Sequence, residues 1–174
     1  MSGSVREAGK RSFVRYAPIG VVRSPFKTPA EAPRQPRWAK GVKARVEVDP
    51  AFAEGLRDLE GFSHVVLLTH LHRSRGFRLR VIPPMDVALR GVFATRSPRR
   101  PNPIGLSVVR LRRIEGTTLH IEGIDVIDGT PLLDIKPYLP EPTDARLRIG
   151  WLTGTLARHG RHRPPPRHRA RRAA

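Results

Sequence analysis

VKARVEV, residues 42–48, alternates without exception: Val42, Ala44, Val46 and Val48 share one face, and Lys43, Arg45 and Glu47 share the other. A period of two is that of an extended strand, whose successive side chains point to opposite sides of a sheet. On the N-terminal side, Ile19–Arg23 is a short apolar run stopped by Ser24-Pro25. On the C-terminal side, Asp49-Pro50 reads as a helix start, with Asp49 as cap and Pro50 at the first helical position. The helix extends over Pro50–Glu60, with Ala51, Leu56 and Leu59 on one apolar face. It is the single helix the sequence calls for. HVVLLTHL, His64–Leu71, is nearly continuous in apolar residues and fits a fully buried strand. Phe77–Ile82 alternates and stops at Pro83-Pro84, and Ala88–Ala94, Gly105–Ile114, Thr118–Ile124 and Pro131–Ile135 follow.

Short strands punctuated by Gly and Pro make this a mainly all-β chain, a β-barrel or a sandwich. No GxGxxG follows a strand, and strands do not alternate with long helices, so the fold is non-Rossmann. Three zones are expected: a disordered basic N-terminus over 1–16, one β domain over 17–157, and a disordered Arg-rich tail over 158–174.

With 39% hydrophobic residues but only 6% aromatics, the core must be small and aliphatic. The absence of cysteine removes disulfides, thiolate metal sites and a thiol nucleophile. No run is long or apolar enough for a secretory signal or a membrane span, so a soluble, cytoplasmic protein is expected. Net charge is +18, which suggests a polyanionic partner, nucleic acid first. The tail holds +7 of this, residues 1–17 hold +3, and residues 18–157, with 22 bases against 14 acids, hold +8. The body is therefore basic by itself.

Four segments carry candidate chemistry. GVFATRSPRRPNPIGLS, residues 91–107, presents Arg96, Arg99 and Arg100 on a loop stiffened by Pro98, Pro101 and Pro103, with Gly105 returning the chain to a strand. Such a loop holds donors ready for carboxylate or phosphate. By composition alone, a solvated surface loop is the slightly better reading. IDVIDGTPLLDIKPYL, residues 124–139, sets Asp125 and Asp128 three apart before an Asp-Gly turn and spaces Asp134, Lys136 and Tyr138 along one strand face. Two carboxylates at a strand end suit ribose hydroxyls or a cationic group, or simply cap a turn. Pro33-Arg34-Gln35-Pro36 forms a polar tip. His64, His70 and His72 alternate too sparsely for a metal site, and none is expected.

Taken in order, PRQP, GLRDLEGFSH (55–64), GVFATRSPRRPNPIGLS and DVIDGTPLLDIKPYLP resemble the TrmO/TsaA family over about residues 18–152. The resemblance implies a compact antiparallel β-barrel methyltransferase that is neither Rossmann-like nor knotted. It implies S-adenosylmethionine (SAM) as methyl donor, tRNA as substrate and a homodimer. The implied reaction is N6-methylation of threonylcarbamoyl-adenosine beside the anticodon. By motif, the SAM contacts are Pro33, Arg34, Gln35, His72, Arg73, Arg96, Leu106, Asp125, Val126, Ile127 and Asp128. Arg73 stands where the family pattern has Gln. Longer members carry a further C-terminal region with an aromatic and Arg-containing motif, in whose place this sequence has a basic tail. A same-fold methyltransferase with another acceptor and a non-catalytic basic RNA-binding barrel are the competing readings. Methyl transfer to a urea-like nitrogen, whose lone pair is delocalised, needs in-line positioning and help with the N–H proton. Asp128, His72 and Tyr138 are the candidates for that help.

Overall fold

The computed structural model describes residues 13–33, 36–84 and 86–139. In chain order the strands are β1 Gly20–Arg23, β2 Lys43–Val48, β3 His64–His70, β4 Arg80–Val81, β5 Arg90–Gly91, β6 Ile104–Glu115, β7 Thr118–Glu122 and β8 Thr130–Pro137. Six of them close a barrel in the order β1-β2-β7-β6-β3-β8, with β8 pairing back onto β1. Every pairing is antiparallel. The choice between barrel and sandwich is thereby settled, and closure leaves few open edges.

The VKARVEV alternation sets the register. Val46 and Val48 are buried in the barrel, while Lys43 and Arg45 are exposed. Val22, Val65, Leu67, Val109, Leu111, Leu119, Ile121 and Leu132 complete an interior that is aliphatic among the described residues, as the low aromatic content requires. The HVVLLTHL run departs from expectation. Val65, Leu67 and Thr69 are buried, but Val66 and Leu68 are only half-buried on the outer face. A barrel has one dry side, so an unbroken apolar run places every second residue outside.

Gly20 makes the β1–β2 crossing possible. The backbone carbonyl of Glu47 occupies the space a Cβ at Gly20 would need.

The expected helix is shorter and tighter than an α-helix. Pro50–Leu56 is a 3-10 helix, capped by Asp49, whose side chain accepts from the Ala51 N–H at 2.9 Å. Asp58 then takes a left-handed φ of 65° and breaks the segment before a second 3-10 turn, Leu59–Gly61. Further 3-10 turns lie at Pro36–Ala39 and Val92–Ala94. The expected strands over 77–82 and 88–94 shrink to two paired residues each, Arg80–Val81 against Arg90–Gly91. Pro83-Pro84 removes two donors from the ladder and stops it.

Two units are distinguished, the barrel residues (13–77 and 98–138 among those described) and a second containing Arg78–Ser97. The expected disordered termini lie largely outside the described residues. No helix among the described residues is long and apolar enough to cross a membrane.

Candidate functional site

Closure brings the ends of β1, β3 and β7 and the starts of β2, β6 and β8 to one end of the barrel. All four polar side chains buried among the described residues, Ser24, Thr69, Ser107 and Thr130, lie at that end. Burying a hydroxyl costs free energy unless a hydrogen bond compensates, and three of the four bond to one short segment. Ser107 Oγ donates to Asp125 Oδ1 at 2.5 Å, Ser24 Oγ to the Val126 carbonyl at 2.8 Å, and Thr130 Oγ1 to the Ile127 carbonyl at 2.6 Å. The Val126 and Ile127 side chains are buried beneath. Residues 125–128 thus form a loop anchored by two apolar side chains and three hydroxyls, with an acid at each end.

Asp128 is held from the other side. The Ser24 N–H donates to its Oδ1 at 3.1 Å, and Lys27 Nζ lies 2.9 Å from its Oδ2. The Asp128 N–H donates to the Phe26 carbonyl at 2.7 Å, and the Gly129 N–H to the Val22 carbonyl at 2.9 Å. Gly129 has φ 73°, as the expected Asp-Gly turn requires. The Lys27 hydrogen bond, followed by the Ser24 N–H and the charges of Lys27 and Arg23, holds the Asp128 carboxyl below the usual carboxylate range against the opposing pull of burial. Asp128 is therefore ionised at neutral pH.

The segment after Lys27 is a tight turn. The Glu31 carboxylate accepts from the Lys27 N–H at 2.8 Å and from Thr28 Oγ1 at 2.9 Å, and these bonds push its pKa down. The turn leads into half-buried Pro33. Arg34 and Gln35 lie outside the described residues. His72 and Arg73 form the turn that leaves β3 at this same end, and Arg73 Nη1 donates to the Lys27 carbonyl at 3.3 Å. Burial, Arg73 and His70 push the His72 pKa below the ordinary histidine value, so its imidazole is neutral at pH 7 although much of the ring is exposed. The proline-rich loop is pinned here as well. The Leu71 N–H donates to the Pro103 carbonyl at 2.7 Å, and Ser74 Oγ to the Pro98 carbonyl at 2.7 Å.

Asp125, Val126, Ile127, Asp128, His72 and Arg73 therefore gather at one end of the barrel. Two expected residues do not join them in this way. Tyr138 donates its N–H to the His64 carbonyl and sets its ring edge-on to His64, at the far end of β3. A seven-residue strand spans roughly 20 Å, so Tyr138 is remote from His72. Leu106 points outward, half-exposed, in a row with Ile104 and Val108 beside the partners Val66 and Leu68. Arg96 is exposed and belongs to the second unit. A groove of about 360 Å³ lined by Leu56, Arg57, Asp58 and Ile114 lies at the opposite end, and no expected site residue borders it. No three His, Asp or Glu side chains among the described residues are grouped to hold a metal ion.

Sequence reasoning passed over Ser24, Lys27, Ser107 and Thr130. One signal was present for Ser107. It shares the inward face of β6 with Val109 and Leu111, and a hydroxyl at a core position calls for a partner. Lys27 left no such mark, since its partner is 101 positions away.

Residues 21–144 match the model of the tRNA-methyltransferase O N-terminal domain. A probable S-adenosyl-L-methionine-binding protein of Pyrococcus abyssi is 55% identical over 142 residues, covering 80% of this chain and 77% of that protein. The tRNA (adenine(37)-N6)-methyltransferase of Escherichia coli is 41% identical over 139 residues, covering 74% of this chain and 59% of that enzyme. The crystal structure of TrmO from Pseudomonas aeruginosa superimposes with a TM-score of 0.67 at 42% identity, covering 80% of this chain and 62% of that one. The chain thus spans about three fifths of the Escherichia coli enzyme and of the crystallised TrmO.

Proposed function

The chain belongs to the tRNA-methyltransferase O family, and from that premise we propose that it is a SAM-dependent methyltransferase acting on N6 of an adenine in tRNA. The acceptor proposed is threonylcarbamoyl-adenosine beside the anticodon. A homodimer working in the cytoplasm, where tRNA is found, completes the reading.

The observation that carries it is the pair of carboxylates on a rigid loop. The donor is a sulfonium cation with ribose hydroxyls. Asp125, oriented by Ser107, and Asp128, kept ionised by Lys27 and the Ser24 N–H, are acceptors and counter-charges of the kind such a ligand needs. When bound, SAM supplies an electrophilic methyl group. The protein's own part is placement and proton handling. The stitched 24–28 and 125–129 loops fix the carboxylates before the ligand arrives, which limits the ordering cost of binding. His72, neutral at pH 7, has a nitrogen able to accept the N–H proton released as the acceptor nitrogen is methylated. Pro33, Arg34, Gln35, Arg73 and Arg96 are the remaining proposed donor contacts. Arg96 and the basic loop serve phosphate or carboxylate recognition.

The test is methyl transfer from labelled SAM to tRNA from cells lacking the gene, followed by mass spectrometry of the nucleosides. A methylated threonylcarbamoyl-adenosine is expected. Label on another nucleoside would keep the methyltransferase and replace the acceptor. Retention of tRNA with no SAM binding would favour the RNA-binding module.

A further inference from the structure

The VKARVEV alternation has a second face that the proposed site does not use. Val46 and Val48 fill the barrel, while Lys43 and Arg45 stand outside on β2, where the register aligns them with the outer faces of β7 and β6. Lys43 lies opposite Glu122, and Glu122 opposite Arg110. In the next row Arg23 lies opposite Arg45, Arg45 opposite His120, and His120 opposite Arg113. Arg112 is exposed at the register shift between Leu111 and Arg113. The four strands β1, β2, β7 and β6 thus carry six bases against three acids, Glu47, Glu115 and Glu122.

The acids are shared among the bases. Glu47 takes Arg23 at 2.8 Å and Arg45 at 3.8 Å, Glu115 takes Arg113 at 2.6 Å and His120 at 2.8 Å, and Glu122 takes Arg112 at 3.0 Å. Lys43 and Arg110, on either side of Glu122, are exposed and make no ion pair among the described residues. In the Arg23, Arg45 and Arg112 pairs the arginine is the more exposed partner. Ion pairs this open are weak, so a guanidinium can exchange its carboxylate for another oxyanion at little cost. Phosphate suits that exchange, because the arginine fork meets it with two hydrogen bonds. Arg23 and Glu122 end β1 and β7, and Lys43 starts β2, at the polar end of the barrel. The wall therefore begins beside the candidate site and runs away from it.

We propose that this outer wall is the surface on which the phosphate backbone of the tRNA lies, with Lys43 and Arg110 as its open contacts and the shared arginines as further ones. This rests on the reading of tRNA as the substrate. A chain of phosphates leading away from a target base held at the polar end matches rows of bases that start there, which favours a nucleic acid over an acidic polypeptide.

Binding of unmodified tRNA to the full chain over a range of salt concentrations tests this. The double substitution Lys43→Gln, Arg110→Gln should weaken tRNA binding about tenfold at low salt. It should also flatten the salt slope of log affinity by roughly 0.7–0.9 for each base removed. Glu122→Gln removes the acid between them and should tighten tRNA binding about two- to threefold, the opposite of what structural damage does. SAM affinity should not change in any of these variants. The two single substitutions, each with about half the loss of slope, serve should the double variant unfold. An unaltered affinity and slope overturns the proposal while leaving tRNA as the substrate. So does polyglutamate that binds through Lys43 and Arg110 more tightly than tRNA, which would make the wall a surface for an acidic protein. If the unaltered chain binds no tRNA, the reading of the substrate falls and this proposal with it.

Discussion

Lys27 Nζ and Asp128 Oδ2 lie 2.9 Å apart, joining the loop after β1 to the loop before β8 across 101 positions of sequence. The lysine side chain is 68% exposed and the aspartate 26%. Its value to stability is correspondingly small, about 0–1 kcal/mol for an exposed pair. Lys27→Met should therefore shift the unfolding midpoint little at pH 7, and the pH dependence should reveal more. Asp128 has its folded pKa depressed, with the Lys27 hydrogen bond as the first cause. Its contribution is present above the unfolded carboxylate pKa and fades as pH falls through the lower folded one. Lys27→Met should flatten that acid-side loss. Thermal unfolding of both proteins from pH 7 downward checks it, and parallel curves would show that Lys27 does not hold the carboxylate.

Two glycines set how closely strands approach, and they should respond differently to alanine. At Gly20 the obstacle is the backbone carbonyl of Glu47, which cannot turn aside without breaking the β1–β2 register. At Gly105 the obstacles are the Thr69 hydroxyl and a Leu71 methyl, both on side chains. Gly105→Ala should cost on the order of 1–3 kcal/mol, the usual range for overpacking. Gly20→Ala should cost more, or prevent barrel closure. Denaturant unfolding of the two variants decides it, and equal small losses would mean the barrel yields at both crossings.

Strands with a strict period were legible in the sequence, as VKARVEV shows, because the pleat itself writes that pattern. The HVVLLTHL run was read as a strand but misjudged in burial, since an apolar outer face leaves no alternation to see. The short β4–β5 ladder was overestimated, because alternation over 77–82 says nothing about whether a partner strand lies alongside. Among the candidate residues, Asp125, Asp128 and His72, which the fold brings to one end of the barrel, were marked by residue type and by resemblance. Tyr138 was drawn in by its place in the same motif, yet β8 carries it to the opposite end. Lys27 and Ser24 act through partners more than a hundred positions away, and no local pattern records that.

His72 should set the acid limb of activity. Burial first, then Arg73 and His70, keep its pKa below the ordinary histidine value. In the proposed role of proton acceptor it works only when neutral, so the rate should rise with pH through that depressed pKa and level off by neutrality. His72→Gln should lower kcat by about 10²–10⁴-fold, the span of general-base contributions, and remove the limb. A pH–rate profile of both proteins is the measurement. A variant that keeps the limb would assign it to another group.

Arg96 and Arg169 carry the same charge in different settings. Arg96 is exposed where the 3-10 turn over Val92–Ala94 gives way to the proline-rich loop. Arg169 is one of seven arginines in 158–174, outside the described residues. Arg96→Ala should reduce kcat/KM by at least about tenfold, as for loss of a charge-assisted hydrogen bond. Arg169→Ala should change it little. Similar small effects from both would make the 91–107 loop a solvated surface.

Residues 158–174 hold seven arginines and no acid, more than a third of the net charge of +18. A basic stretch of this kind draws affinity for RNA from counterion release, with each neutralised phosphate adding roughly 0.7–0.9 to the salt slope of log affinity. Residues 18–157 keep +8, enough to retain some attraction on their own. Removing 158–174 should therefore weaken tRNA binding at low salt, flatten its salt dependence and leave SAM affinity unchanged. Phosphate contacts position without reading sequence, so discrimination among tRNAs should survive the truncation. Binding of the full chain and of residues 1–157 at two salt concentrations separates the cases. An unchanged slope would assign RNA capture to the barrel's own bases, and a lost preference among tRNAs would give the tail a part in recognition that charge alone does not supply.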